Sequence, residues 1–245
     1  DGAYNDSLGI PNEDAQSFVF DATTLFERDK FSGYDRIEGG TRANIGLRYS
    51  GVYEGGWTTN AIVGQSYQIG GENPFAAPDL VNAGAYSGLE SERSDFVGLF
   101  GLAAPNGISA SVSARLDEQS LEVRRAEFKA GYSTDQTSLS AKFAYIQAQP
   151  LYGYDYDRHE ISLAASQRFN ENWRIFGSGT YDFHSDLLVR DSLGFAYDDE
   201  CFTYLMTVSE NRDIGTRELT RRVGFNLTFR TIGDFGTSTS VPSSL

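Results

Sequence analysis

The chain has 245 residues, of which 40% are hydrophobic and 13% aromatic, and a formal net charge of −14. A mean hydropathy of −0.38 excludes a bundle of apolar helices, and no run approaches the roughly 18 apolar residues that a membrane helix needs. The acidic balance argues against nucleic acid, which calls for a basic patch, and the single cysteine excludes a disulfide within the chain.

In chain order, residues 1–40 show little periodicity beyond Ser17–Phe20 and are frequent in Gly, Asn and Asp, which predicts a long entering loop. Asp1 follows no signal peptide, so a secreted chain of this sequence is expected to be a mature form or, better, a fragment. From about Ala43 the pattern changes to segments of some ten residues in which apolar and small polar residues alternate. Eleven strands are predicted, at 43–53, 57–67, 94–104, 108–116, 122–132, 137–147, 159–169, 173–182, 188–197, 202–210 and 221–230. In the last, Val223, Phe225, Leu227 and Phe229 share one face and Gly224, Asn226, Thr228 and Arg230 the other, because successive strand side chains point oppositely. Residues 233–245, rich in Ser and Thr, read as a flexible tail.

Alternation alone also fits a soluble β-sandwich, whose inner faces pack on each other. Three features favour a membrane. The segments have the 9–11 residues of a tilted spanning strand, where soluble strands are mostly 5–6. Aromatics such as Tyr53, Trp57, Tyr132, Phe169, Trp173, Tyr197 and Phe202 cluster at segment ends, as interfacial girdles do. Tight connections (54–56, 105–107, 133–136, 170–172, 198–200) alternate with long ones (68–93, 148–157), the pattern of periplasmic turns and outer loops. The predicted fold is therefore all-β: an antiparallel transmembrane β-barrel of outer-membrane type, present as a partial barrel of about 11 strands. Its organisation is an entering loop at 1–40, barrel strands at 41–232 and a tail at 233–245. Bacterial single-chain barrels have even strand numbers, so either a strand near 17–22 is missed or further strands lie upstream.

The predicted lumen wall includes Arg48, Arg115, Arg125, Glu127, Lys129 and Lys142, with Asn60, Ser111, Ser162, Ser178 and Thr180. The 125–127–129 stripe reads either as mutually paired charges or as a site for lipid phosphates. Acidic loops, for example Asp198, Asp199 and Glu200, read either as a solvated rim or as a divalent-cation site facing phosphorylated head groups. Catalysis finds little support: the two histidines, His159 and His184, sit beside predicted outer loops without a partner motif. No phosphate loop, zinc spacing or EF-hand pattern occurs, so neither cofactor nor metal is expected.

The stretch Phe31-Ser32-Gly33-Tyr34-Asp35-Arg36-Ile37-Glu38-Gly39-Gly40-Thr41-Arg42-Ala43-Asn44, with Gly64-Gln65-Ser66-Tyr67 after it, resembles the C-terminal half of the LPS-assembly outer-membrane protein family, LptD. Tyr197-Asp198-Asp199-Glu200-Cys201 resembles that family's C-terminal cysteine turn, although Phe202 stands where better-known members carry a second cysteine. The resemblance runs in order from about residue 25 to 233. It implies a very large outer-membrane barrel with a periplasmic jellyroll before its first strand and an LptE-type plug lipoprotein inside. Such a protein receives lipopolysaccharide from a periplasmic transport bridge through the N-terminal domain, and releases it into the outer leaflet. By this resemblance the chain holds the closing part of the barrel, Cys201 pairs with a cysteine of the absent upstream region, and strand 221–230 forms one side of a lateral gate. Arg222-Val223-Gly224-Phe225-Asn226-Leu227-Thr228-Phe229 further matches the pattern by which the barrel-assembly machinery recognises last strands, through Arg222, Gly224, Leu227 and Phe229, with Asn226 between. The competing reading is a general porin or other passive channel.

Overall fold

The computed structural model describes residues 20–30, 38–76, 84–229 and the backbone of 233–242. Within these, twelve strands run in one antiparallel ladder whose spatial order is the chain order. They are β1 (Thr41–Val52), β2 (Thr58–Gly70), β3 (Phe96–Ala103), β4 (Ile108–Leu116), β5 (Val123–Ser133), β6 (Thr137–Ile146), β7 (Arg158–Arg168), β8 (Trp173–Asp182), β9 (Leu187–Asp198), β10 (Phe202–Arg212), β11 (Leu219–Phe229) and β12 (Gly233–Pro242). Every predicted strand is present, and neighbouring strands meet as successive hairpins.

The extra strand comes from the other end of the chain than expected. Residues 233–242, read as a flexible tail, pair with β11 from Phe229↔Gly233 to Thr220↔Pro242. A run of Gly, Ser and Thr lacks the large apolar residues that reveal a strand by alternation, yet its backbone donors and acceptors complete an exposed edge at full value inside lipid. The proposed strand near 17–22 is absent over residues 20–22, which lead into a turn at 22–26, and residues 17–19 lie outside the described ones. Most of the entering loop, 1–19 and 31–37, likewise lies outside them.

One face of the ladder is apolar and uncovered. Leu47, Val63, Phe100, Leu163, Leu193 and Phe225 stand out from their strands at every second position, Leu47 being 76% exposed and Leu193 60%. A soluble sandwich buries that face against a second sheet; here no second sheet exists among the described residues, and so large an apolar surface marks contact with lipid. Aromatic rings close both ends of this face on β6–β11. At the tight-turn end Trp173 meets Tyr197 at 4.9 Å, Tyr197 meets Phe202 at 5.5 Å and Phe202 meets Phe229 at 6.3 Å between centroids. At the loop end Phe143 and Tyr181 flank Phe183 at 6.4 and 5.3 Å. Trp173 and Tyr181 are eight residues apart on β8, about 27 Å of strand, which matches the apolar band of an outer-membrane barrel.

Turn chemistry fixes the hairpins. Asn170, Asp199, Asp117 and Asp213 each accept two backbone N–H groups within their own turns through one side-chain oxygen. Gly107 closes the β3–β4 turn at φ +85°, where a Cβ would lie 1.9 Å from the Ser133 carbonyl oxygen, so only glycine fits.

The chain forms two compact units: residues 1–102, 111–127 and 145–157, and residues 103–110, 128–144 and 158–245. The first contains a buried apolar cluster of Phe20, Ala22, Leu25, Phe75, Leu89 and Val97, flanked by Ile62 and Leu99. The second has no such cluster among its described residues; its strands carry an apolar and a polar face.

Candidate functional site

The polar face is built by the alternate residues of each strand. On β7–β10 it holds a cross-strand ladder of hydroxyls: Ser162 to Thr180 at 3.0 Å, Ser178 to Ser192 at 2.8 Å, and Thr203 donating to Asp198 at 2.7 Å. Each predicted wall residue lies on this face. Arg48 is exposed there, opposite Ile62. Arg125 and Glu127 form an ion pair at 2.9 Å along β5, which fits the paired reading of the stripe that continues to Lys129; Lys142 occupies the same face of β6.

Arg115 behaves differently from the rest of that set. It is 6% exposed, and its guanidinium donates to the carbonyl oxygens of Ser87 at 2.5 Å and Tyr86 at 2.7 Å while Nε stands 3.2 Å from Asp95. It thus clamps the β2–β3 connection onto β4. Tyr86 sits at φ +55°, unusual for a residue with a Cβ, and its hydroxyl accepts the Leu151 N–H at 3.2 Å. Tyr152 donates to the Ala85 carbonyl at 3.0 Å and packs edge-on against the Tyr86 ring. The β2–β3 and β6–β7 connections therefore hold each other as well as β4. Beside the clamp lies a charged cavity of about 320 Å³ lined by Glu90, Arg93, Asp95, Asp117, Glu118 and Arg124, among others. Burial raises the Asp95 carboxyl to about 6 against the opposing pull of Arg115. Hydrogen bonds from Ser120, then from Arg124, hold Asp117 well below the usual carboxylate range.

The polar face of β1–β3 is roofed. Leu25 rests over Gly46 and Gly64, where a Cβ would come within 2.9 and 2.5 Å of its methyl group, and Phe75 and Leu89 come down from the β2–β3 connection. This corrects the expectation of a uniformly polar wall: Ile62, Val97 and Leu99 face inward because other parts of the chain cover them. Each fully buried Leu or Phe contributes about 1.5–3 kcal/mol. A buried ionic knot secures the roof. Glu38 takes Arg42 at 2.7 Å and Lys30 at 3.5 Å, and Arg42 also donates to Asn73 at 3.1 Å and lies over the Phe75 ring at 5.6 Å. Burial lowers the Lys30 ammonium, with Glu38 opposing. The sequence signal for this roof was the loss of alternation at Ile62-Val63 and Phe96-Val97, where neighbours on opposite faces are both apolar.

On β11, Arg222, Gly224 and Asn226 lie on the polar face, Leu227 and Phe229 on the apolar one. The strand is paired on both sides, with β10 and β12, so it is not the last strand of the ladder as expected; that position belongs to β12. Cys201 is exposed on the tight turn between β9 and β10, its N–H donating to Asp199 at 2.7 Å. His159 packs against Phe143 near the loop end of the apolar face, and among the described residues no group of His, Cys, Asp and Glu is arranged to hold a metal ion.

Residues 2–173 match the family model of LPS transport system D, LptD. The LPS-assembly protein LptD of Saccharophagus degradans is 23% identical over 92% of this chain, and that of Acinetobacter baumannii 25% over 81%. The chain spans about a quarter of the length of these relatives, 27% and 24%. A mutant of Rhodopseudomonas blastica porin superposes with a TM-score of 0.43 at 13% identity, over 82% of this chain and 84% of the porin.

Proposed function

Because this chain belongs to the LPS transport system D family, we propose that it supplies consecutive strands to an outer-membrane translocon that delivers lipopolysaccharide to the outer leaflet. The family match over residues 2–173 carries the reading, and the two-faced ladder supports it: an uncovered apolar face for lipid and a polar face for a hydrated head group. The complete protein would take lipopolysaccharide from the periplasmic bridge through its N-terminal domain, enclose an LptE-type plug, and depend on the barrel-assembly machinery for insertion.

Release would occur through a seam between the first and last strands of the complete barrel, since an unpaired strand edge in lipid costs several kcal/mol per backbone group and a gate needs a weak seam. With β11 paired on both sides, its polar residues Arg222, Gly224 and Asn226 would serve the wall rather than the opening. The test uses the full-length protein in its host. Depleting it should stop new lipopolysaccharide from reaching the surface, and tethering first to last strand by a cysteine crosslink should do the same. Surface delivery that survives depletion removes the translocon reading; delivery that survives the tether removes the gate alone.

A further inference from the structure

Most of the acid that makes this chain −14 lies in its turns and loops, while arginine collects on the polar face of β7–β11. Four residues define two levels. Arg168 and Arg174 stand directly opposite each other across β7–β8 at the tight-turn end, both exposed. Nearer the outer loops, Arg190 shares a row with Thr180 and Asn211, and Arg222 shares the adjacent row with Ser209 and Ser192. Four to six residues of strand separate the levels, about 14–20 Å. Between them Phe176 lies beside Gly194, whose missing Cβ leaves room for the ring, and the Arg174 guanidinium covers Phe176 at 5.7 Å.

None of the four arginines is ion-paired among the described residues. The acidic groups on this face of the unit are committed elsewhere or distant in register: Asp182 is buried and caps Ser185, Asp198 accepts from Thr203, and Glu160 is aligned with Asp182 above the upper level. Like charges placed directly opposite on a sheet are destabilising, and the Arg168–Arg174 pair accepts that cost without an ion-pair partner among the described residues. A planar guanidinium binds phosphate or carboxylate through two parallel N–H bonds, so two guanidinia facing one space make a site for such an anion.

We propose that these levels are two anion stations, Arg168 with Arg174 and then Arg190 with Arg222, for the phosphate- and carboxylate-bearing sugars of a lipopolysaccharide head group crossing the polar face. The ligand assignment rests on the translocon reading above. The lower station receives the anionic sugar at the periplasmic end, the Phe176 ring offers an apolar platform for sugar between the stations, and the upper station draws the anion toward the outer loops.

A photo-crosslinking amino acid placed at Phe176 of the full-length protein, in host cells with its partners, should form an adduct with lipopolysaccharide; one at Ile175, on the apolar face, is the reference. Combined Arg168→Gln and Arg174→Gln substitution should cut the Phe176 adduct about tenfold, the loss of one charge-assisted contact, while the Ile175 signal and heat-modifiable mobility of the folded barrel stay unchanged. Arg190→Gln with Arg222→Gln is the second variant, should the first reach the membrane poorly, and the same loss is expected. An adduct undiminished in the folded variants, or no adduct at Phe176 while delivery is normal, overturns the stations and leaves the translocon reading standing. Delivery that does not depend on the protein at all overturns both.

Discussion

Asp95 and Arg115 show how a buried charge can be retained at a loop root. Arg115 is held by two carbonyl oxygens and one carboxylate, so removing its partner would leave a buried charge uncompensated, a loss of about 3–5 kcal/mol in comparable settings. Asp95 is faced by Arg115 from β4, Arg124 from β5, Glu90 from its own connection and Asp117 from the β4–β5 turn. With its carboxyl raised to about 6 from 3.8, the docked connection binds the proton more tightly than the undocked one. Its contribution to docking is then fully present below about 3.8 and lost as pH rises through about 6. Amide protection at Ser94 and Asp95, whose N–H groups bond Ser66 and Gly88, should be higher at pH 5 than at pH 7.5 after correction for intrinsic exchange. Asp95→Asn should flatten that dependence, and protection that rises with pH would contradict it. Cys201 is a second single-residue case. Its thiol is exposed on a tight turn, and we propose that it pairs with a cysteine elsewhere in the full-length protein, which from outer membranes should then migrate differently with and without reductant. Cys201→Ser should abolish the difference; identical mobility in every lane would make it a free thiol.

At the scale of elements, what the sequence disclosed and what it hid divide along one physical line. All eleven amphipathic strands were legible because lipid on one side and water on the other force period-two alternation. β12 was not, because Gly, Ser and Thr pair through the backbone without an apolar signature, and that hid the fact that β11 is an interior strand. The roof over β1–β3 left only the broken alternation at Ile62-Val63 and Phe96-Val97, for the converse reason: its contacts join residues up to some seventy positions apart, such as Phe20 and Leu89, and periodicity reports only local order. Two of the three stretches that carried the family resemblance turn out to be its fastenings. Arg42 ties Glu38 to Asn73, Asn44 accepts the Ser66 hydroxyl at 2.6 Å, and Gln65 and Ser66 bond Ser94 at 2.7 and 2.8 Å. In a barrel whose strands need only alternate, these stretches stand where a connection docks on the wall. Arg48, Arg125, Glu127, Lys129 and Lys142 share the polar face, a grouping that parity alone reveals, whereas Arg115 on the same face also clamps a connection, a duty that parity does not encode.

For the whole molecule, the decisive property is that hydrophobic and charged residues are sorted to opposite faces of one ladder. Leu193 tests this sorting directly. It lies on β9 opposite Gly177 and Val208, midway between the two aromatic belts, and is 60% exposed on the apolar face; its neighbour Ser192 points the other way and bonds Ser178. An arginine at the lipid midplane of a barrel costs about 2–4 kcal/mol, and near zero on the hydrated wall. Leu193→Arg in the full-length protein should therefore lower unfolding stability in lipid vesicles by about that amount, read as a shift of the denaturant midpoint at unchanged slope. Ser192→Arg should shift it far less, since the polar face accommodates a guanidinium beside Arg190 and Arg222 at the price only of like-charge repulsion, which added salt would screen. Equal shifts for the two variants would mean that the two faces see the same medium, and would return the chain to the class of water-soluble sheets.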